Sequence, residues 1–361
     1  MKIAIIGPVH PYKGGIALHT TQLAHHLQSA GHDVDVISWK AQYPFFYPGE
    51  QFVPNGKPEM PVFQNSKRVL SWKNPAGWVV WAKRLKRYDQ IIFIWWVPTV
   101  QGPVYTTMMK ALGKSGPRKV ILCHNLIQHS AGPADKLLTK KVLNMADNII
   151  VHTNEMAELA SEFTDTPIRV SAMPAHLPGK PSIKQLNEPA KSLLFFGLVR
   201  QYKGVDILLR SLANIPAIKL VVAGEMWGKQ QTKLLALIDE LKLNDRVELK
   251  PGYVPAEDIA DLFAASDALV MPYRSATASN NPDLAFANGR PVIATRVGSL
   301  QKQIRDKVDG LLCKPNDVES LSSAINYFYQ PGVANKLAAN IPVVSSENDW
   351  HNYTQTITRI D

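Results

Sequence analysis

Short apolar runs alternate with amphipathic stretches along this chain, and the alternation runs through twice. In the first pass KIAIIG (2–7), DVDVIS (33–38), QIIFIW (90–95), KVILCH (119–124) and NIIVHT (148–153) read as strands. Near-continuous apolar runs of strand length, separated by helical patterns such as IALHTTQLAHHLQSAG (16–31), predict a parallel sheet covered on both faces. The stretch MPAHLPGKPSIKQLNEPAK (173–191), with four prolines and few apolar residues, reads as an interdomain linker. The pattern then restarts with SLLFFG (192–197), IKLVVAG (218–224), RVELKPG (246–252), DALVMP (267–272), RPVIAT (290–295) and GLLCKP (310–315). Helices fit at 204–213, 229–242, 256–265 and 317–328, and SSENDWHNYTQTITRI (345–360) is one more. The expected class is α/β: two doubly wound, Rossmann-like domains facing across a cleft, with ligands bound beyond the C-terminal strand ends.

A length of 361 residues suits two domains of ordinary size. Cys123 and Cys313 lie far apart with no C-x-x-C, so neither a disulfide framework nor a cysteine zinc site is suggested, and a reduced cytoplasmic setting fits. The N-terminal apolar run is too short for a signal sequence. IIFIWWVPTVQGPVY (91–105) is broken by two prolines and falls short of a bilayer span. The expectation is a soluble chain, or at most one attached to a membrane surface.

Net charge is +10, of which residues 1–180 carry +9 and residues 181–361 carry +1. A basic first half implies an anionic partner. Its sharpest piece is WVVWAKRLKRY (78–88), where Trp78, Trp81, Leu85 and Tyr88 can share one helical face and Lys83, Arg84, Lys86 and Arg87 crowd the others. That pattern fits a helix lying on an anionic membrane, and equally a surface helix packing its aromatic face on the core. No nucleic-acid motif accompanies the charge, so nucleic acid is not expected as a partner.

Several loops are candidates for chemistry. In GPVHPYKGGIALHT (7–20), Gly14 and Gly15 let backbone approach a ligand, and a helix start offers free N–H groups to an anion. FFGLVRQYKGVDILL (195–209) sets Arg200 and Lys203 after a buried strand, where fixed cations suit a departing diphosphate. VILCHNLIQH (120–129) ends a strand in His124, which can hydrogen-bond a sugar hydroxyl or accept a proton; His129 is a weaker candidate. His25, His26 and His32 form no convincing ligand pattern, and DVD (33–35) alternates within an expected edge strand, so no metal is assigned.

Taken together, the Gly-Gly loop, the strand ending in His124, RQYKG (200–204), VAGE (222–225), GYV (252–254), SATASNNPDLAFANGRPVIATRVG (275–298) and a Trp-containing terminal helix resemble glycosyltransferase family 4. The resemblance covers nearly the whole chain except the region around 40–118. It implies the GT-B fold, with domains at 1–175 and 190–345 and a terminal helix, 346–361, crossing back to the first. It implies a retaining, metal-independent transferase whose substrate is a nucleotide sugar, with no cofactor. Arg200 and Lys203 would bind the diphosphate, Lys203 also aiding its departure. Gly14 and Gly15 would approach the phosphates, His124 would contact the donor sugar, Gly224 and Glu225 would line the floor, and backbone at Tyr253 and Val254 would hold the base.

Many members carry E-x7-E where this chain has Ala276 and Leu284, and Lys302 occupies a further place that is often acidic. A subset of the family shares the loss. Thr277, Ser279, Asn280 and Asn281 are the polar substitutes, offering hydroxyl and amide groups to the donor. Asn281 reads as an N-cap, Pro282 as the first helical residue and Gly289 as the C-terminal cap.

The expected function is transfer of a sugar to a glycan or lipid-linked acceptor in cell-surface glycan or glycolipid assembly. The expected location is the cytoplasm, including the inner face of the membrane. The alternatives are a non-catalytic GT-B module partnering an active enzyme, and a nucleotide-sugar epimerase.

Overall fold

The computed structural model describes residues 1–42, 51–53, 60–126, 132–175, 177–178, 181, 186, 188–276, 279–344 and 347–359. The chain forms two compact units, Met1–His176 with Ser345–Asp361, and Leu177–Val344.

In the N-terminal unit, β1 (Lys2–Ile6), β2 (Asp33–Ala41), β3 (Ser66–Ser71), β4 (Gln90–Trp95), β5 (Arg118–Cys123), β6 (Asn148–Val151) and β7 (Ile168–Val170) make one sheet. Its order is β3-β2-β1-β4-β5-β6-β7, with every pairing parallel. Helices α1 (Gly15–Ser29), α2 (Pro75–Leu85), α3 (Pro98–Leu112), α4 (Pro133–Leu143) and α5 (Asn154–Ser161) connect the strands. Local chemistry starts several of these helices. Asn74 accepts from the Gly77 amide at 3.0 Å and precedes Pro75, and Thr153 accepts from the Met156 amide at 3.2 Å.

Side-chain alternation divides β4 between two cores. Ile91, Phe93 and Trp95 pack in one cluster with Val104, Tyr105 and Met108 of α3. Ile92 and Ile94 pack in the other with Leu23 and Leu27 of α1 and with Trp350, Tyr353 and Ile357 of the terminal helix, Glu347–Thr358. Each such buried side chain stabilises by about 1.5–3 kcal/mol, which commits this strand to the sheet centre. The terminal helix is held at its C-terminal end, where Gln90 donates to the Ile357 carbonyl at 3.1 Å and Arg169 to the Thr356 and Arg359 carbonyls at 3.1 and 2.9 Å. A guanidinium there satisfies orphan carbonyls and opposes the helix dipole.

Two strands lie outside the sequence expectation. SKRVLS (β3) and IRV (β7) are sheet edges with largely solvent-facing side chains, so neither carries a buried apolar run. β3 makes β2 an internal strand and corrects its reading as an edge. Asp35 of DVD accepts from the Tyr88 hydroxyl at 2.6 Å and pairs with Lys67 at 3.9 Å.

The structure also decides between the two readings of 78–88. Trp78, Leu85 and Tyr88 are buried, Trp81 is partly buried against the same core, and the Trp78 indole donates to the Ser71 carbonyl at 2.6 Å. The aromatic face therefore packs inward and is not a membrane face. Among the described residues, no helix is long and apolar enough to cross a membrane.

The C-terminal unit repeats the plan with β8 (Ser192–Phe196), β9 (Lys219–Gly224), β10 (Val247–Pro251), β11 (Ala268–Met271), β12 (Val292–Thr295) and β13 (Gly310–Cys313). The order is β10-β9-β8-β11-β12-β13, again all parallel. Helices α6 (Val205–Ala213), α7 (Gln230–Glu240), α8 (Ala256–Ala264), α9 (Asn281–Ala287), α10 (Leu300–Gln303), α11 (Val318–Phe328) and α12 (Val333–Ala339) complete it. Buried Asp267 ties the unit's first strand in place, accepting from the Ala190 and Ser192 amides at 2.9 and 2.8 Å and from the Tyr329 hydroxyl at 2.9 Å.

Candidate active site

In both sheets the strand order reverses beside the first strand of the unit, β1 or β8, and ligand sites of doubly wound sheets gather at such points. The Gly14–Gly15 loop follows β1, and the Arg200–Lys203 loop follows β8.

In the N-terminal unit, Gly14 is the residue before α1, with φ +98°, and Gly15 opens the helix; both are exposed. A side chain at Gly14 would be strained by that φ. His124 follows β5, is buried, and donates its backbone N–H to the Trp95 carbonyl at 2.9 Å. One turn into α1, the His19 ring meets the His124 ring at 4.6 Å and 84°. The α1 start and the β5 end are thus neighbours, and His152 and Tyr353 join them. His129 lies outside the described residues.

The C-terminal unit gathers the cations and amides around Gly197. An added Cβ on Gly197 would stand 3.5 Å from Lys203 Nζ and 3.6 Å from Asn281 Nδ2. Lys203 ends a 3-10 turn, Gln201–Lys203, and its ammonium lies 5.2 Å from the Tyr273 ring centroid. Burial lowers its pKa below the usual lysine value; Tyr202 opposes that shift and Arg200 adds to it. A desolvated ammonium among amides favours the arrival of an anion. The Arg200 guanidinium stacks over Trp227 at 4.1 Å from the ring centroid.

Gly224 ends β9 against this loop. With φ +142°, it has no room for a Cβ, which would come within 2.2 Å of the Gly197 carbonyl oxygen. Glu225 accepts from the Val199 amide through its backbone at 2.8 Å. Half-buried Tyr253 and Val254 follow β10 and line a cavity of about 430 Å³ with Lys250, Asp258, Asp261 and Leu262.

The 279–289 segment departs from its reading in two respects: the helix starts one residue earlier, and Pro282 is its second residue, not its first. Asn280, not Asn281, is the residue before α9, and its side chain makes no capping hydrogen bond. Asn281 is the first helical residue, and its amide donates to the Phe196 carbonyl at 2.9 Å. That bond draws the Asn281 side chain off the helix end and across to the Gly197 loop. Ser279 Oγ accepts from the Asn281 backbone N–H at 3.3 Å, and Gly289 follows the helix with φ +67°. Thr277 lies outside the described residues. Leu284, at one of the two absent-carboxylate positions, is buried in the core, and Ala276 packs against that core.

Side chains at these sites that carried no weight in the sequence reading include His19, His152, Trp227, Tyr273, Arg274 and Tyr353. His152 had a visible signal, because NIIVH ends its strand in histidine just as VILCH does. Arg274 has none; it acts through a partner 68 positions away, Asp206.

Both halves of the chain match known families. The model described as "Glycosyltransferase Family 4" matches residues 13–174, and that described as "Glycosyl transferases group 1" matches residues 180–347. The chain belongs to glycosyltransferase family 4. This family 4 chain is 31% identical to a D-inositol 3-phosphate glycosyltransferase of Mycobacterium marinum over 204 residues, 52% of this chain and 43% of that protein. It therefore spans less than half the length of that curated relative. Its fold is GT-B. The sucrose-phosphate synthase of Thermosynechococcus elongatus superposes at a TM-score of 0.71 with 21% identity, covering 99% of this chain and 94% of that one. Anabaena HepE in complex with UDP-glucose superposes at 0.72 with 15% identity, covering 99% and 98%.

Proposed function

We propose that this chain is a retaining, metal-independent glycosyltransferase that takes its sugar from a nucleotide-sugar donor. The observation that carries the proposal is the placing of the Lys203 ammonium and the Asn281 amide over Gly197, beside the Arg200–Trp227 stack. UDP-glucose in a structural neighbour supports a donor of that class.

In this reading Arg200 and Lys203 hold the diphosphate, and Tyr253 and Val254 take the base through their backbone. In the same reading Gly14 and Gly15 approach the phosphates and His124 the donor sugar. The anomeric carbon–oxygen bond breaks, the acceptor oxygen bonds to that carbon, and the acceptor's proton leaves with the nucleoside diphosphate. Charge grows on the departing phosphate, so Lys203 acts most strongly in the transition state. Charge neutralisation by these two side chains leaves no step that calls for a metal ion or other cofactor.

The acceptor in this reading is a glycan or lipid-linked molecule presented at an anionic membrane surface on its cytoplasmic side. Support comes from α2, α3 and α4, which pack side by side. The α2 segment exposes Lys83, Arg84, Lys86 and Arg87, α3 and the turn after it expose Lys110 and Lys114, and α4 exposes Lys136, Lys140 and Lys141. The cationic face of 78–88 thus carries the membrane proposal in place of its buried aromatic face.

A panel of UDP-, GDP-, dTDP- and CMP-sugars tests the function by donor hydrolysis and thermal shift. At least one donor is expected to stabilise the chain and be hydrolysed slowly. No binding and no turnover with any donor would overturn the proposal and favour a non-catalytic module, the reading to which the core position of Leu284 lends weight.

A further inference from the structure

β5 and β6 run side by side, with Ile121 opposite Ile149 and Leu122 opposite Ile150. Two residues further along that register, His124 and His152 stand opposite each other where the strands end. Their rings make contact: His152 Nε2 lies 3.2 Å from His124 Nδ1, and His152 Nδ1 lies 3.3 Å from the Ser171 carbonyl oxygen.

Those two contacts assign the protons. A carbonyl only accepts, so His152 Nδ1 carries a hydrogen. Burial lowers the His152 pKa to about 4, against a smaller opposing effect of the Ser171 hydrogen bond, so the ring is neutral at physiological pH. A neutral imidazole has a single N–H, which leaves its Nε2 as an acceptor. The atom facing that acceptor, His124 Nδ1, must therefore be the donor.

The surroundings hold this pair in place. The His19 ring of α1 stands edge-on to His124 at 4.6 Å, and Tyr353 of the terminal helix stacks on His152 at 6.1 Å and 25°. The ring groups facing His152 are thus His124, His19 and Tyr353. Burial raises the Tyr353 pKa well above the ordinary tyrosine value, so it stays neutral.

We infer that His152 is a positioning residue that holds His124 in its Nδ1–H tautomer, so that His124 Nε2, buried in this structure, is left as an acceptor for a donor-sugar hydroxyl. This rests on the proposal that His124 contacts the donor sugar. The consequence is directional: the sugar hydroxyl donates to the protein at this point. In the other tautomer it would have to accept.

The test begins with the ligand-free chain. Long-range proton–nitrogen correlation spectra of histidine-labelled protein at pH 7.5 report which ring nitrogen of each histidine is protonated. His124, assigned by its loss in His124→Gln, is expected as Nδ1–H in the parent chain. It should lose that state in His152→Phe and keep it in His152→Gln, whose amide can both accept from His124 and donate to Ser171. Thermal melts check that both variants fold. With a donor that is turned over, His152→Phe should lower kcat/KM about tenfold, as for loss of one oriented hydrogen bond, and His152→Gln should recover to within about threefold.

An Nε2–H His124 in the parent chain, or an unchanged tautomer in His152→Phe, overturns the inference. So do equal losses of kcat/KM in the two variants. If the parent chain turns over no donor, the proposed function fails, while the spectra still decide whether His152 sets the tautomer.

Discussion

Arg274 grips Asp206 through both carboxylate oxygens, at 3.0 and 2.7 Å, while its own backbone N–H donates to the Tyr202 carbonyl at 2.6 Å. Its guanidinium also reaches the Gln201 carbonyl. One residue thus pins the turn that carries Lys203 to the start of α6. A lysine has donors but not the planar fork that meets both carboxylate oxygens at once. Arg274→Lys should therefore leave the melting temperature within a few degrees and lower donor kcat/KM by about tenfold. Steady-state kinetics beside a thermal melt separate these effects, and unchanged kinetics would dismiss the clamp.

In the proposed reaction Lys203 is the side chain that meets the leaving-group charge. Lys203→Ala should reduce donor hydrolysis by about 10²–10³-fold, as when one oriented donor is removed from a developing anion. Single-turnover measurement with saturating donor reads the chemical step directly. A loss confined to KM would mean that Lys203 binds ground state and transition state alike.

Restoring a carboxylate at 284 should not restore a site. Leu284 is 3% exposed and belongs to the core, so Leu284→Glu buries an unpaired charge at a cost of several kcal/mol. Urea unfolding is the measurement, and a neutral result would place that side chain outside the core.

His152 gives the N-terminal unit an acid sensitivity. Unfolded, its imidazole takes a proton near pH 6.5; folded, it does so only near 4. The stability linked to it is complete above pH 6.5 and is lost as the pH falls from 6.5 to 4, amounting to about 3 kcal/mol. His152→Gln removes the titration. Urea midpoints at pH 7.5 and 4.5 should fall less in the variant than in the parent chain.

Sheet positions were legible in the sequence wherever a strand is buried on both faces, because QIIFIW or SLLFFG can satisfy no other environment. The edges were not: SKRVLS and IRV need only one pairing and keep most of their side chains in solvent. The aromatic face of 78–88 was legible as a face, but periodicity does not tell a protein core from a lipid surface. At the candidate site the Gly, Arg and Lys loops were visible because glycine and charge stand out locally. His152, Tyr273 and Arg274 act through partners brought near only by sheet register or by a distant loop, and no window of sequence holds both members of such a pair.

The docking of residues 347–358 on the N-terminal unit sets an order on the making of this protein. Residues 177–344 form a contiguous unit and can complete their core as they leave the ribosome. The unit begun first must wait for the helix bearing Trp350, which stacks on His26 at 4.7 Å and 7°. Until then the cluster that holds Ile92, Ile94 and Ile150 lacks Trp350, Tyr353 and Ile357. In cotranslational terms the second unit can complete its core before the first, and in that interval part of the first unit's apolar surface lacks its final cover.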